Sequence, residues 1–395
     1  MNRRVLFVDH AGELGGAELS LLSITRKLPL SCHVLLLSDG PFADELRNAG
    51  VSVEVISGNS GLHAIRRDSR LRSMFLSIPS VFSIVRNIAK KSRQYDIIYA
   101  NTQKSFVVAA LASLISRRPV IWHLRDILND EHFSIYTRKA VIFLANLRAS
   151  KVIANSRATE KAFHDAGGSK NKTKVIYNAI DFEPFLTTSM NKALKIRGVF
   201  SSKNKVLVGI FGRLAEWKGQ HILIEAMKEL AGVQAIIVGG CLFGEEEYER
   251  RLIQQVQQYG LQDRVHFLGF RTDIPALMKA MDIIVHASIS PEPFGRVIVE
   301  AMLSERPVIA SRAGGVLEII EHNKTGLLVT PGQPLELAEA IERLISDVSL
   351  SEMLVKQAKE VAMQRFSMKF MIDCITREIS SALPDDGNGT QGALP

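Results

Sequence analysis

Residues 205–227 read KVLVGIFGRLAEWKGQHILIEAM: an apolar run, a turn punctuated by Gly212 and Gly219, then a periodic apolar segment. Such an order is that of strand, turn and helix. It stands in mid-chain and restarts a pattern that has already run once. Before it, strand-like runs at 5–9, 33–38, 51–56, 97–100, 120–123, 151–155 and 174–177 alternate with helix-like segments. After it come further runs at 234–240, 265–270, 282–288, 307–311 and 326–329. Alternation of this kind predicts parallel sheets with crossover helices, hence an α/β chain of two doubly wound units in tandem. Between them the segment YNAIDFEPFLTTSMNKALKIRG loses its periodicity and carries a proline, which sets the junction near 180–203. The expected division is a first Rossmann-like unit over 1–185, a second over 200–366, a helix over 367–383 and a disordered polar tail over 384–395.

The chain has 395 residues, too many for one ordinary core, and is 46% hydrophobic and 23% charged, as folded proteins are. Asp9 and His10 cut the first apolar run at once, so no secretory leader is read there. The longest apolar stretch, 106–115, is about half of the roughly 20 residues a spanning helix needs. Cys32, Cys241 and Cys374 have no paired spacing and no neighbouring histidines, which argues against a zinc site or a disulfide framework and for a reducing cytosol. The net charge of +8 is uneven: residues 1–185 carry 26 Lys and Arg against 16 Asp and Glu, while the rest carry 23 against 25. Basicity is densest in IRRDSRLRSMFLSIPSVFSIVRNIAKKSR, 65–93, where eight basic residues meet one acid around an apolar centre. This segment is either a solvated surface helix pair or a patch for anionic lipid head groups. With few aromatics and no nucleic-acid motif, it does not predict a nucleic-acid partner.

In open parallel sheets ligands lie beyond the carboxyl ends of the strands, so residues just past each strand carry the functional weight. After the first strand, VDHAGELGGAELSLLSI places Gly12, Gly15 and Gly16 ahead of a helix, where backbone N–H groups can approach an anion; the same turn could be purely structural. After the strand opened on above, Arg213 and Lys218 stand five residues apart and could close on one diphosphate. In SISPEPFGRVIVEAM, 288–302, a helix starting near Phe294 or Gly295 leaves Glu292 in the loop and Glu300 more than a turn inside. Their carboxylates would be on the order of 10 Å apart, too far to share a proton and suited to gripping separate hydroxyls of one extended ligand. The N–H groups at the helix start, from Phe294 to Val297, would favour its phosphates. A ligand with a hydroxylated end, a diphosphate and a ribose is a sugar nucleotide.

GRLAEWKG, PEPFGRVIVEAM, RAGGVLEII and NKTGLLV, in this order and spacing, resemble the carboxy-terminal half of the retaining glycosyltransferases of family 4, which have the GT-B fold of two Rossmann-like domains facing a central cleft. The first half agrees: the loop of Gly15, Gly16 and Glu18, His123 after PVIW, IANS at 153–156, and YNAID. Ala179 stands where the family mostly has glycine. The resemblance implies roles. Glu292 would hold donor-sugar hydroxyls and Glu300 the ribose. Arg213 and Lys218 would bind the diphosphate and stabilise the leaving group, with Phe294, Gly295 and Val297 contributing at the helix start. His123 would approach the transferred sugar, the plain alternative being a satisfied core histidine. Gly15 and Gly16 would close over the phosphates. Catalytic work would fall to His123, Arg213, Lys218 and Glu292.

The expected activity is metal-independent, cofactor-free transfer of a sugar from a UDP- or GDP-linked donor to a glycan or lipid-linked glycan, as in cell-surface polysaccharide or lipopolysaccharide synthesis. The expected location is the cytosolic membrane face, held peripherally by the basic patch. Two other readings are a GT-B nucleotide-sugar epimerase and a non-enzymatic basic protein binding membrane or nucleic acid.

Overall fold

The structure is a computed structural model that describes residues 3–56, 78–129, 133–200, 205–242 and 244–383. Residues 65–77 of the basic segment and the tail 384–395 lie outside the described residues. The chain forms two compact units.

The first unit contains a seven-stranded parallel sheet of β1 (Arg4–Asp9), β2 (Ser31–Leu36), β3 (Ser52–Val55), β4 (Ile97–Ala100), β5 (Val120–Leu124), β6 (Ala149–Ala154) and β7 (Thr173–Val175). Their spatial order is β3-β2-β1-β4-β5-β6-β7. Central strands are apolar on both faces because helices cover both, so β4 and β5 are buried at every position. Trp122 stacks on Phe106 with ring centroids 4.4 Å apart, joining β5 to the helix Gln103–Ser116. Thr102 starts that helix, its hydroxyl accepting from the Ser105 N–H, and Arg117 ends it in the left-handed region at φ 60°.

The second unit contains a six-stranded parallel sheet of β8 (Val206–Phe211), β9 (Val233–Val238), β10 (Val265–Phe267), β11 (Ile283–His286), β12 (Val308–Ser311) and β13 (Leu327–Val329), in the order β10-β9-β8-β11-β12-β13. Both sheets grow outward from their first strand in one direction and then restart on its other side. Each therefore has one crevice, between β1 and β4 or between β8 and β11, where strand order reverses.

All thirteen expected strands form. Some apolar runs continue past the last ladder pair: 268–270 lies beyond β10, and Tyr177 beyond β7. The first unit closes at Ile176 rather than at 185. The segment expected to be irregular is largely helical, Glu183–Thr187 and Met190–Phe200, and Phe185 and Ala193 sink into the second core. The last helix, Met368–Ser381, groups with the first unit, where Glu378 lies 3.7 Å from Lys151 and the Ser380 carbonyl accepts from Arg3. Among the described residues no helix is long and apolar enough to cross a membrane.

Candidate functional site

At the crevice of the second unit, glycines let three strand ends crowd together. Gly212 (φ 135°) turns the chain out of β8, and a Cβ on Gly239 would lie 1.9 Å from its carbonyl oxygen. Gly219 (φ 72°) precedes the helix Gln220–Ala226; a Cβ there would lie 2.0 Å from the Ala287 carbonyl oxygen, so only glycine lets the loop after β8 press against the end of β11. The Ile289 N–H then donates to the Trp217 carbonyl at 2.8 Å. This closure delivers Lys218 to Glu292, and its Nζ donates to both carboxylate oxygens, at 2.8 and 2.9 Å. Nζ also sits 4.2 Å from the centroid of the Trp217 ring.

Glu292 is 9% exposed. Its Oε2 accepts from the Ser288 hydroxyl at 3.0 Å and lies 3.3 Å from His286 Nε2. Burial would raise its pKa, but Lys218 and His286 outweigh that and hold the carboxyl well below the usual carboxylate range. Arg213 reaches Glu245 instead, Nε to Oε2 3.6 Å, and passes 5.9 Å from the Trp217 ring.

Two further glycines pin the turn that carries Glu292. The Gly315 N–H donates to the Glu292 carbonyl at 2.8 Å. A Cβ on Gly314 (φ 62°) would come within 2.4 Å of that oxygen, and one on Gly315 within 2.5 Å of the Pro293 carbonyl. Phe294 is a core side chain, edge-on to Phe366 at 5.5 Å, so only its backbone can serve a ligand. Gly295, in the left-handed region at φ 103°, caps the helix Arg296–Leu303; its carbonyl accepts from the Ile298 N–H at 3.1 Å, while the N–H groups ahead of Ile298 have no carbonyl one turn back. Val297 packs its side chain on the core. Glu300 accepts from Arg296 one turn back, at 3.3 Å, and so has a partner of its own, separate from those of Glu292.

The first unit brings together a second polar cluster at its own crevice. Asp9, fully buried at the end of β1, accepts from the N–H groups of His10 at 2.6 Å and Ala11 at 3.2 Å, and from Asn101 Nδ2 at 2.5 Å. Asn101 Oδ1 accepts from Arg125 Nε at 2.9 Å, and Arg125 Nη2 lies 3.2 Å from His123 Nδ1. Tyr99 places its hydroxyl 2.7 Å from the same Nδ1. His123 is fully buried, and among the described residues its Nε2 has no hydrogen-bond partner. Burial and the Arg125 charge hold its pKa well below the usual value for histidine.

Glu18, also buried, accepts the Gly15 N–H at 3.0 Å. Burial and the neighbouring Asp9 push its pKa up to about 8. That Gly15 N–H is therefore committed within the loop. Gly12 is used for packing: a Cβ there would lie 2.1 Å from the Asp39 carbonyl. Gly16 opens the helix Gly16–Lys27.

The structure thus joins Lys218 to Glu292 directly, sets Arg213, Gly295 and Glu300 on neighbouring segments of the same unit, and places Gly15, Gly16 and His123 in the first unit. Sequence reasoning missed His286, Ser288, Tyr99, Asn101 and Arg125, although each stands at or just past a strand end. It also gave no role to Gly314 and Gly315. Among the described residues no group of three or more His, Cys, Asp or Glu could hold a metal ion.

Comparison with known proteins accords with this geometry. Residues 15–184 match the family profile described as Glycosyltransferase Family 4, and residues 192–361 the profile described as Glycosyl transferases group 1. An uncharacterised glycosyltransferase of Methanocaldococcus jannaschii is 30% identical over 69% of this chain and 72% of its own length. The lipopolysaccharide core biosynthesis glycosyltransferase LpsE of Rhizobium meliloti is 29% identical over 58% of this chain and 64% of its own. Among solved structures, Anabaena HepE in complex with UDP and glucose is 44% identical, covers 95% of this chain and 99% of its own, and superposes with a TM-score of 0.87; HepE is also known in complex with UDP-glucose. Two parallel sheets with flanking helices, family profiles over both halves and relatives of this kind make the chain a GT-B glycosyltransferase of family 4.

Proposed function

We propose that the chain transfers a sugar from a uridine diphosphate donor to a hydroxyl of a glycan or lipid-linked glycan, with retention of anomeric configuration and without a metal or other cofactor. The observation that carries this reading is the pairing of half-buried Lys218 with buried Glu292, beside Arg213 at the crevice of the second sheet: two cations for a diphosphate and a carboxylate, kept charged, for sugar hydroxyls. HepE, 43% identical in its crystal structure with UDP-glucose, supports uracil as the base over guanine.

Arg213 and Lys218 stabilise the charge that grows on the leaving diphosphate, which is where preorganised cations lower a barrier most. Backbone N–H groups from Phe294 to Val297 assist at the helix start. Glu292 orients the sugar, Glu300 holds the ribose, and Gly15 and Gly16 shield the phosphates. The incoming hydroxyl gives its proton to the departing phosphate oxygen on the same face, through an oxocarbenium-like transition state. Glu292, engaged by three side chains, is a positioning carboxylate rather than a nucleophile. The name of the relative LpsE and the +10 balance of residues 1–185 support a lipid-linked acceptor at an anionic membrane surface.

Incubation with a panel of UDP-, GDP- and ADP-sugars tests the reading by donor-dependent thermal shift and product analysis. UDP-glucose or a close analogue should stabilise the protein and yield an α-linked product, in chelator as well as without it. Donor rearranged with no acceptor present would make the chain an epimerase, an inverted product would end the retaining mechanism, and loss of rate in chelator would end the metal-free one.

A further inference from the structure

His123 lies in the middle of a buried chain of hydrogen bonds whose directions are fixed by its central member. A guanidinium can only donate. Arg125 Nη2 lies 3.2 Å from His123 Nδ1, so Nδ1 must accept. Arg125 Nε lies 2.9 Å from Asn101 Oδ1, so the amide oxygen faces Arg125 and the amide nitrogen faces Asp9, at 2.5 Å, as a carboxylate acceptor requires. The phenol of Tyr99 is wholly buried and 2.7 Å from the same Nδ1, and it has a proton to give. Two donors aimed at one ring nitrogen leave no room for a proton on it. The ring proton must then reside on Nε2, which is buried and meets no hydrogen-bond partner among the described residues.

We propose that Arg125 is a positioning residue that, together with Tyr99, locks His123 as the neutral Nε2–H tautomer, so that His123 meets the substrate as a hydrogen-bond donor and never as a base. The accepting partner is a neutral oxygen, a hydroxyl or ring oxygen of the transferred sugar; that identity rests on the sugar-nucleotide reading, whereas the tautomer does not. An unpaired buried N–H costs free energy, which a substrate oxygen recovers on binding. Of the groups facing the imidazole, the nearest charge is the cation, and the carboxylate of Asp9, which would favour a second proton, is held off the ring by Asn101 and Arg125. Arg125 opposes a second proton on the ring, Tyr99 is held as a phenol by burial, and the carboxyls of Asp9 and Glu18 belong to β1 and to the helix after it, Asp9 acting through Asn101. A histidine working as general base would need its unprotonated nitrogen towards the acceptor hydroxyl, and here that nitrogen is consumed by Arg125.

Long-range proton–nitrogen NMR of the full chain labelled in histidine tests the lock without substrate, the His123 signals being those absent from His123→Gln. The expected spectrum has Nδ1 bare and Nε2 protonated, unchanged from about pH 5 to 8, the window in which an ordinary histidine titrates. A protonated Nδ1 or a titrating ring in the wild type overturns the proposal. In Arg125→Met the His123 signals should begin to move with pH inside that window, and Arg125→Lys, which keeps a cationic donor, should restore constancy; signals indifferent to both variants would remove Arg125 from the role. Should Arg125→Met not fold, the wild-type spectrum still decides. In turnover, His123→Gln, with an N–H donor near the Nε2 position, should exceed His123→Phe in kcat by about fivefold, the worth of one neutral hydrogen bond. If no sugar nucleotide is turned over, the spectrum still stands or falls by itself.

Discussion

Glu292 and Glu300 share one short stretch, yet their partners differ: Lys218, His286 and Ser288 for the first, Arg296 for the second. Glu292 is charged only because Lys218 and His286 overcome its burial. Removing the lysine leaves a buried carboxylate without its cation, so Lys218→Met should cost about 3–5 kcal/mol in urea unfolding. The double variant Lys218→Met/Glu292→Gln should cost clearly less than the sum, since the orphaned charge is gone too. The pH dependence has a definite sign. A carboxyl whose folded pKa lies below its unfolded 4.5 contributes stability that is present above 4.5 and is lost as pH falls towards the folded value, so wild type should lose stability relative to the non-titrating Glu292→Gln in acid below about 4.5. Kinetics should separate the two glutamates. If Glu300 holds the ribose as proposed, remote from the reacting bond, Glu300→Gln should raise KM for the donor with kcat largely kept, while Glu292→Gln should lower kcat. Equal effects on kcat would refute that division.

At the scale of elements, the glycine loop and its helix hold a proton that the unfolded chain would release. Glu18 has a folded pKa of about 8 against 4.5 in the unfolded chain. A raised pKa contributes stability that is complete below 4.5 and is lost as pH climbs through about 8, so wild type should lose ground to Glu18→Gln across that interval. Glutamine keeps an oxygen for the Gly15 N–H, and thermal melts at several pH values would show a flat difference if Glu18 were already ionised. Gly314 acts by its lack of a side chain. Gly314→Ala would drive a Cβ to 2.4 Å from the Glu292 carbonyl at a φ of 62°, so it should cost roughly 1–3 kcal/mol and weaken donor binding, seen by urea unfolding and thermal shift. These elements also mark how much was legible. The strands were, because parallel strands buried on both faces read as continuous apolar runs. Their ends were less so, since 268–270 stays apolar after the ladder stops. Arg213, Lys218 and Glu292 were legible by standing past strand ends, but the use of Gly314, Arg125 and Asn101 was not. Each of those acts on a segment distant in sequence, as Asn101 does on Asp9, and only the sheet order reveals that they meet.

For the whole molecule, the tandem repeat of the doubly wound pattern was readable from the restart at 205, while the place where one unit ends was not. Periodicity lapses near 180, yet Tyr177 already bonds to Glu318 at 2.9 Å, and Phe185 fills the second core: contacts, which decide the boundary, begin before the pattern changes. Charge is the other property of the whole. Residues 1–185 hold 26 basic against 16 acidic residues, and the remainder 23 against 25, so a long-range field favours anionic surfaces at one half only. In the described residues, the helix Ile78–Ser92 carries Arg86, Lys90 and Lys91 and exposes Phe82, the pairing of cation and aromatic that suits a head-group boundary. Attraction between exposed charges and a charged surface is screened within about 3 Å at 1 M salt, against about 8 Å at physiological ionic strength. Flotation should therefore recover the protein with vesicles containing anionic lipid and not with purely zwitterionic ones, and high salt should release it. Equal recovery on both vesicles, or binding indifferent to salt, would overturn an electrostatic attraction of this enzyme to anionic membranes.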